Sequence, residues 1–263
     1  MAITHVAVAN HNETDPATEL TITIPASTQI DDILILSLEN GGAVDNPTVT
    51  DNDTGGNTWA LVIEQNGSTD EVTIWWKRAT SGTAGKTITA SGFTDSCAGS
   101  CSVYRGCITS GNPYEQQVGE SNGLFDTSMI GITPTVNGAM VCLTVGTGSG
   151  NNSITDPSCT DPGALTSRAD VGSSGGSGCR IMHASREQTT AAATGDFTWT
   201  ISTNDSASVA FNLKPAEDES SSSSSSGHSS SSSSSSLSSL SSQSSLSSSS
   251  SSGVGDESSS SSS

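Results

Sequence analysis

Two alternating runs joined by a tight turn, between Thr48 and Arg78, constrain the fold of this chain more than any other feature. The first run ends at Ile63, the turn is Asn66-Gly67, and the second run begins at Glu71. Asn-Gly between alternating runs is the strongest short-range signal for a β-hairpin. The same pattern of short run, turn and short run recurs up to Pro215, so the sequence predicts a protein built from β-strands.

About a dozen short strands can be counted before Pro215, and no segment has the periodicity of a helix. The run Ile33–Leu38 is apolar at every position but one, which is typical of a central strand covered on two sides. Short strands separated by frequent turns indicate an antiparallel β-sandwich or a jelly roll. We therefore expect an all-β sandwich over residues 1–215, either as one large domain in which two sheets pack together or as two small sandwiches packed against each other.

The composition changes abruptly after Pro215. Residues 216–263 are mostly serine, with occasional leucine, glycine and acidic residues. A segment with so little apolar surface cannot offset the entropy that ordering would cost. The sequence therefore predicts that residues 216–263 form a disordered, low-complexity, serine-rich tail.

The charge balance excludes several kinds of partner. The formal net charge is −19, and five of the 27 acidic residues lie after Pro215 with no basic residue beside them, which leaves the preceding body at −14. An acidic body repels phosphate backbones, so nucleic-acid binding is not expected. No run approaches the roughly 20 apolar residues that span a bilayer, so membrane insertion is not expected either.

The first residues carry no recognisable secretion signal. They lack the basic start and the continuous apolar core of a signal peptide and instead alternate like a strand. We expect a protein that is made in the cytoplasm and reaches a virion or an extracellular surface without a leader.

The cysteines leave two alternatives open. Six cysteines allow 15 pairings, and a domain of this size does not depend on disulfides for its stability. They show neither the paired spacing nor the neighbouring histidines of a zinc site. Small buried thiols are the favoured interpretation, and a single disulfide within Cys97–Cys107 is the alternative.

Two short motifs match enzyme signatures only in their letters. The segment 172–176 has the G-x-S-x-G spacing of a hydrolase nucleophile, but it lies in a Ser/Gly loop without the helix that this motif requires. Gly85-Lys86-Thr87 resembles the end of a phosphate-binding loop, but a strand follows where a helix is needed. The sequence therefore predicts a protein that is not an enzyme.

A calcium site is one hypothesis for the turn before Trp59. Asp51, Asp53 and Asn57 have the side-chain types and part of the spacing of a calcium-binding loop, and Gly56 fits its sixth position. The twelfth position, however, holds Val62 where that loop needs glutamate. A simple glycine turn without any cofactor is the favoured interpretation.

Trp75 and Lys77 are the candidate ligand-binding residues. Alternation along the strand places Val72, Ile74 and Trp76 on one face, which is interpreted as core, and Trp75 and Lys77 on the other. If solvent covers the second face, Trp75 offers a platform for a sugar ring or a protein partner. If a second layer covers it, Trp75 belongs to the core.

Several phrases resemble a loosely defined group of β-sandwich domains from phage and bacterial surface proteins. They are Asp31-Asp32-Ile-Leu-Ile-Leu, Asp53-Thr-Gly-Gly-Asn-Thr-Trp59, Val72-Thr-Ile-Trp-Trp-Lys77, Val103-Tyr-Arg-Gly106 and Val209-Ala-Phe-Asn-Leu-Lys-Pro215. The serine-rich tail is similar to spacers in virion and tail-associated proteins. The resemblance implies a fold and a setting, and it brings no catalytic signature.

The expected function is that of a structural or adhesive protein, associated with a virion and displaying a β-sandwich on a flexible tether. Its expected partners are other virion or surface proteins and cell-surface glycans, and an oligomer is compatible with the sequence. The alternative is a carbohydrate-binding module of a secreted bacterial surface protein, with Trp75 as the stacking residue.

Overall fold

The structure is a computed structural model, and it describes residues 1–13, 18–41, 47–68, 70–123, 126–173, 178–202 and 205–217. These residues form sixteen strands and no helix. The strands are β1 Thr4–Glu13, β2 Glu19–Thr23, β3 Ile33–Asn40, β4 Thr48–Asp51, β5 Ala60–Asn66, β6 Glu71–Arg78, β7 Thr87–Ser91, β8 Cys97–Arg105, β9 Tyr114–Asn122, β10 Ser128–Met129, β11 Ala139–Thr147, β12 Ile154–Ser158, β13 Thr166–Gly172, β14 Arg180–Gln188, β15 Phe197–Ile201 and β16 Ser206–Leu213.

The first eight strands form two facing antiparallel sheets. Inner sheet 1 has the order β1-β8-β3-β6-β5, and outer sheet 1 has the order β2-β7-β4. Eight strands that cross between two facing sheets in this manner form a jelly roll. The prediction of an all-β antiparallel sandwich of the jelly-roll type is confirmed.

The last eight strands repeat the same order. Inner sheet 2 runs β9-β16-β11-β14-β13, and outer sheet 2 runs β10-β15-β12, so each strand of the first roll has its counterpart eight strands later. The described residues therefore hold four sheets and sixteen strands, where the sequence suggested about a dozen strands in one large sandwich or two small ones. The sequence pattern does not predict a strand as short as β10, because two residues are too few to show an alternation of apolar and polar side chains.

The rolls pack through their inner sheets, which gives a stack of four layers. One apolar core lies between the inner sheets and includes Ile35, Ile74 and Phe211. A second core lies between the two sheets of the first roll and a third between those of the second roll. This stacking explains β3, whose eight residues are all buried, because inner sheet 1 is covered on both faces.

The two rolls face each other across an approximate two-fold axis. Strand β1 contacts β13 and strand β5 contacts β9, as the eight-strand repeat requires. Ser37 and Thr144 occupy equivalent positions on the central strands and meet with their oxygens 3.5 Å apart. The pairing of β5 with β6 shifts after Leu61, and that of β13 with β14 shifts after Ser167, so even the bulge is repeated.

Two further predictions from the sequence concern membrane insertion and the C-terminal tail. None of the described residues forms a helix that is long and apolar enough to cross a lipid bilayer. The serine-rich tail, predicted to be disordered, lies outside the described residues from position 218 onward.

Candidate functional site

Lys77 is fully buried, which corrects its assignment as a ligand-binding residue. It points from β6 into the core of the first roll, and its side chain has no exposed surface. Its Nζ lies 2.8 Å from Asp51 Oδ2 and 3.0 Å from Asp53 Oδ2, and both carboxylates are almost completely buried. The ammonium therefore neutralises internal carboxylates and presents no charge at the surface.

Hydrogen bonds hold the two carboxylates in place. Asp51 Oδ2 accepts from the indole Nε1 of Trp59 at 2.7 Å, and Asp51 Oδ1 accepts from the Asp53 amide at 3.0 Å. Asp53 Oδ2 accepts from the Thr83 hydroxyl at 2.5 Å. Desolvation raises the pKa of Asp53, but the hydrogen bonds from Thr83 and the Gly55 amide, together with the Lys77 ammonium, outweigh it and hold that pKa well below its usual value.

The structure does not bring together the three residues of the calcium hypothesis. Asn57 is exposed and donates its side-chain amide to the Arg78 carbonyl at 2.9 Å, away from the two aspartates. An ammonium already lies against Asp51 and Asp53, where calcium was expected. No cluster of three or more acidic, histidine or cysteine side chains suited to a metal ion occurs among the described residues.

Trp75 is covered by a second layer, so it is not the exposed platform that its strand position allowed. It packs half-buried against the core between inner and outer sheet 1. Its indole nitrogen is buried and meets no hydrogen-bond acceptor in the described part of the chain. The structure therefore places Trp75 against the core as a half-buried ring, which is closer to the alternative in which it is a core residue.

A surface groove lies on the other face of the same strand. It has a volume of about 440 Å³ and is lined by the loop before β5, the end of β6 and the linker between the rolls. Its lining residues are Gly56, Asn57, Thr58, Ala60, Trp76, Arg78, Gly111 and Asn112. We call this feature the Trp76 groove.

The groove combines an aromatic ring with fixed polar groups. Trp76 is half-buried, packed on one side against the core between the inner sheets. The Arg78 guanidinium lies 6.0 Å from the centre of its ring and donates to the carbonyls of Ile108 and Gly111. Desolvation lowers the pKa of Arg78, yet an arginine keeps its charge in a protein. Aromatic surface with a few convergent polar groups is typical of a small-molecule site.

Sequence reasoning missed Trp76 because its neighbours on the same face, Val72 and Ile74, are core residues. Near its last residues β6 leaves the core between the inner sheets, so the Trp76 ring reaches the surface beside Gly111 and Asn112 of the linker. Of the predicted ligand-binding and metal-ligating side chains, Asn57 lines this groove, and it does so while donating to the Arg78 carbonyl. The adjacent Arg78 and the Asn112-Pro113 turn were the available signals.

His183 belongs to a buried polar network between the inner sheets. Its Nε2 lies 2.8 Å from the Tyr104 hydroxyl and its Nδ1 lies 2.8 Å from Thr144 Oγ1. Desolvation, with smaller contributions from the charges of His5 and Arg168, lowers the pKa of His183 to about 3. An imidazole enclosed by two hydroxyls in the core fastens the rolls together and is closed to substrate.

We expect the His183 imidazole to stay neutral at pH 5. Because its pKa in the fold lies below the unfolded value of about 6.5, the stability that it provides is complete above that pH and falls on acidification toward pH 3, by at most about 1.4 kcal/mol per pH unit. Nitrogen NMR of the ring, assigned with a His183→Gln variant, measures this. A midpoint near 6.5 contradicts the buried arrangement.

The cysteines and the G-x-S-x-G segment are the remaining candidates for reactive side chains. All six cysteines are buried free thiols, as predicted, and the disulfide within Cys97–Cys107 is not formed. Of the G-x-S-x-G segment, Ser174 and the two residues after it lie outside the described residues. The neighbouring Ser173 is buried and its hydroxyl accepts from the Cys179 amide at 2.9 Å.

Searches with the chain against protein-family models, curated protein sequences and solved structures find no match.

Proposed function

We propose that this protein is a non-enzymatic adhesive protein that binds a glycan in the Trp76 groove. The observation that carries the proposal is the half-buried indole of Trp76 at the surface, beside the amides of Asn57 and Asn112 and the hydroxyl of Thr58. A sugar ring offers an apolar face to an aromatic platform and hydroxyls to nearby amides. The groove supplies both kinds of contact.

The wider molecule supports a binding role. The chain is strongly acidic, with a net charge of −19, so an arginine held in a groove is a local departure from the overall charge. The groove lies on loops carried by rigid sheets, which is where binding residues concentrate. Jelly rolls occur in lectin domains, and this fold-level analogy agrees with the proposal.

Replacing Trp76 with leucine is expected to weaken glycan binding by about fivefold or more, because a central aromatic contact commonly contributes over 1 kcal/mol. A glycan array with the full-length chain, followed by titration of the best sugar, measures the change. Trp75→Leu is the matched control, since its ring faces the covered side of the same strand.

Thermal melts of both variants separate lost binding from lost folding. Asn112→Ala removes an exposed polar group of the groove without touching the core, and it should also weaken binding. An array on which the unmodified protein is silent, or Trp76→Leu binding as tightly as Trp75→Leu, overturns the proposal.

A second candidate setting is the surface of a virus particle. The pairing of two jelly rolls favours it, because eight-stranded jelly rolls build many viral capsid subunits. This support is an analogy at the level of the fold. Mass spectrometry of purified particles from the source is expected to detect the chain, and its consistent absence from them argues against this setting.

A further inference from the structure

We propose that Lys77 and Asp51 join through an intramolecular amide bond that links inner sheet 1 covalently to outer sheet 1. The amine nitrogen of Lys77 lies 2.8 Å from Asp51 Oδ2. Because the carboxyl carbon is bonded to that oxygen, it lies within about 4 Å of the nitrogen, close to the separation of about 3–3.5 Å from which a nucleophile attacks. The proposal is independent of the Trp76 groove.

The surroundings distinguish this pair from an ordinary salt bridge. The Lys77 side chain has no exposed surface, and those of Asp51 and Asp53 are 5% and 1% exposed. The other described ion pairs each keep a partner that is at least one-fifth exposed, such as Arg105 with Asp32. Removing the Lys77 and Asp51 charges from water costs free energy, and an amide between them carries no charge. Asp53 keeps the hydrogen bonds from Thr83 and the Gly55 amide when the amide forms.

The reaction is a condensation that needs no further reagent. The ammonium of Lys77 passes a proton to Asp51 Oδ2, 2.8 Å away, so that a free amine faces a neutral carboxyl group and attacks its carbon. Asp53, whose carboxylate oxygen lies 3.0 Å from the lysine nitrogen, relays the second proton from that nitrogen to Oδ2. The new C–N bond forms as the bond from carbon to Oδ2 breaks. Oδ2 leaves as water with the two protons that the nitrogen loses, so one ammonium and one carboxylate give one amide and one water.

Neighbouring groups already occupy the positions that this step requires. The Asp53 amide donates to Asp51 Oδ1, the oxygen that the product retains, and stabilises negative charge there during the attack. The Trp59 indole donates to Oδ2, the departing oxygen. Asp53 is held by Thr83 and Thr80 beside the amine and acts as the proton relay.

The link would join two sheets that share only side-chain contacts. Asp51 ends β4, which pairs within outer sheet 1 only, and Lys77 lies on β6 of inner sheet 1. A covalent bond at this point prevents the outer sheet from separating under load. Such a bond suits an adhesive protein, although the chemistry does not rest on that function.

Intact-mass spectrometry of the denatured, full-length protein tests the proposal. We expect a mass lower by one water than the sequence requires, and a fragment in which the Lys77 peptide is joined to the Asp51 peptide. Asp51→Ala and Lys77→Met should restore the full mass, and Lys86→Met, at a lysine outside the core, should keep the loss of water.

A separate rate measurement tests the role of Asp53 as the proton relay. Asp53→Asn should slow bond formation at least tenfold, measured as the fraction of cross-linked chain against time after refolding. The unmodified protein with the full sequence mass overturns the proposal without any variant having to fold. A fragment that joins Lys77 to Asp53 contradicts the assignment of Asp51 as the reacting carboxyl.

Discussion

Replacing Lys77 with methionine is expected to destabilise the protein by about 3–5 kcal/mol, because it leaves two buried carboxylates without their cation. Methionine fills much of the lysine stem, so lost packing contributes little. For a domain of this size, each kcal/mol lowers the melting temperature by about 2–4 °C. Chemical unfolding at neutral pH measures the free energy directly.

Lys86→Met is the control for that experiment. Lys86 follows the turn before β7 and is partly exposed, so its replacement should change the free energy of unfolding by less than about 0.5 kcal/mol. Where Lys77 is cross-linked to Asp51, its replacement removes the amide and leaves the buried Asp51 carboxylate beside Asp53, so the protein is again destabilised. A Lys77→Met protein as stable as the control contradicts the buried arrangement of Lys77 with Asp51 and Asp53.

Replacing Glu39 with glutamine is expected to stabilise the protein above pH 7 by at least about 1 kcal/mol. Glu39 points from β3 toward the second roll and lies over Gly146, where any side chain would overlap its carboxyl. The carboxyl is fully buried, and neither oxygen has a hydrogen-bond partner among the described residues. Desolvation raises its pKa well above the usual value, and Asp70, Cys179 and Glu71 act in the same direction.

The pH dependence of Glu39 has a definite sign. Because its pKa is higher in the fold than in the unfolded chain, the folded state holds the proton more tightly, and stability falls as pH rises above about 4.5. Between about pH 4.5 and the folded pKa, each unit of rising pH lowers the free energy of unfolding by at most about 1.4 kcal/mol. Unfolding curves for the native chain and Glu39→Gln should agree near pH 4 and diverge at higher pH. Curves that stay parallel contradict the raised pKa.

Local patterns in the sequence were sufficient for the fold class and for most strands. Asn66-Gly67 and the alternating runs predicted the β5–β6 hairpin that the structure contains. The unbroken apolar run of β3 indicated a strand covered on two sides, and inner sheet 1 is indeed covered on both. These features follow from the period of side chains along a strand, which a sequence displays directly.

The duplication could not be predicted in that way. The two rolls share strand order and the position of a bulge, yet equivalent positions carry different chemistry. Trp76 in the first roll corresponds by register to Ser185 in the second, and Glu39 corresponds to Gly146. A repeat preserved in backbone pairing, with different side chains, leaves no repeated motif to recognise.

The site also depended on contacts between distant segments. Alternation correctly placed Trp75 opposite Trp76, but it could not say which face a second layer covers. The groove exists because the linker at Gly111 and Asn112 closes over the end of β6. Likewise, Asp51 and Asp53 had the chemistry of a cation site, and the cation proved to be Lys77 of the same chain.

The most direct test of the binding account is NMR of the four tryptophan indole N–H signals during titration with the sugar that binds best on the array. The Trp76 signal should shift with the sugar, while those of Trp59 and Trp199, which are buried, and of Trp75, which packs against the core on the opposite face of β6, stay in place. A shift confined to Trp75, or no shift of Trp76 at saturating sugar, contradicts it.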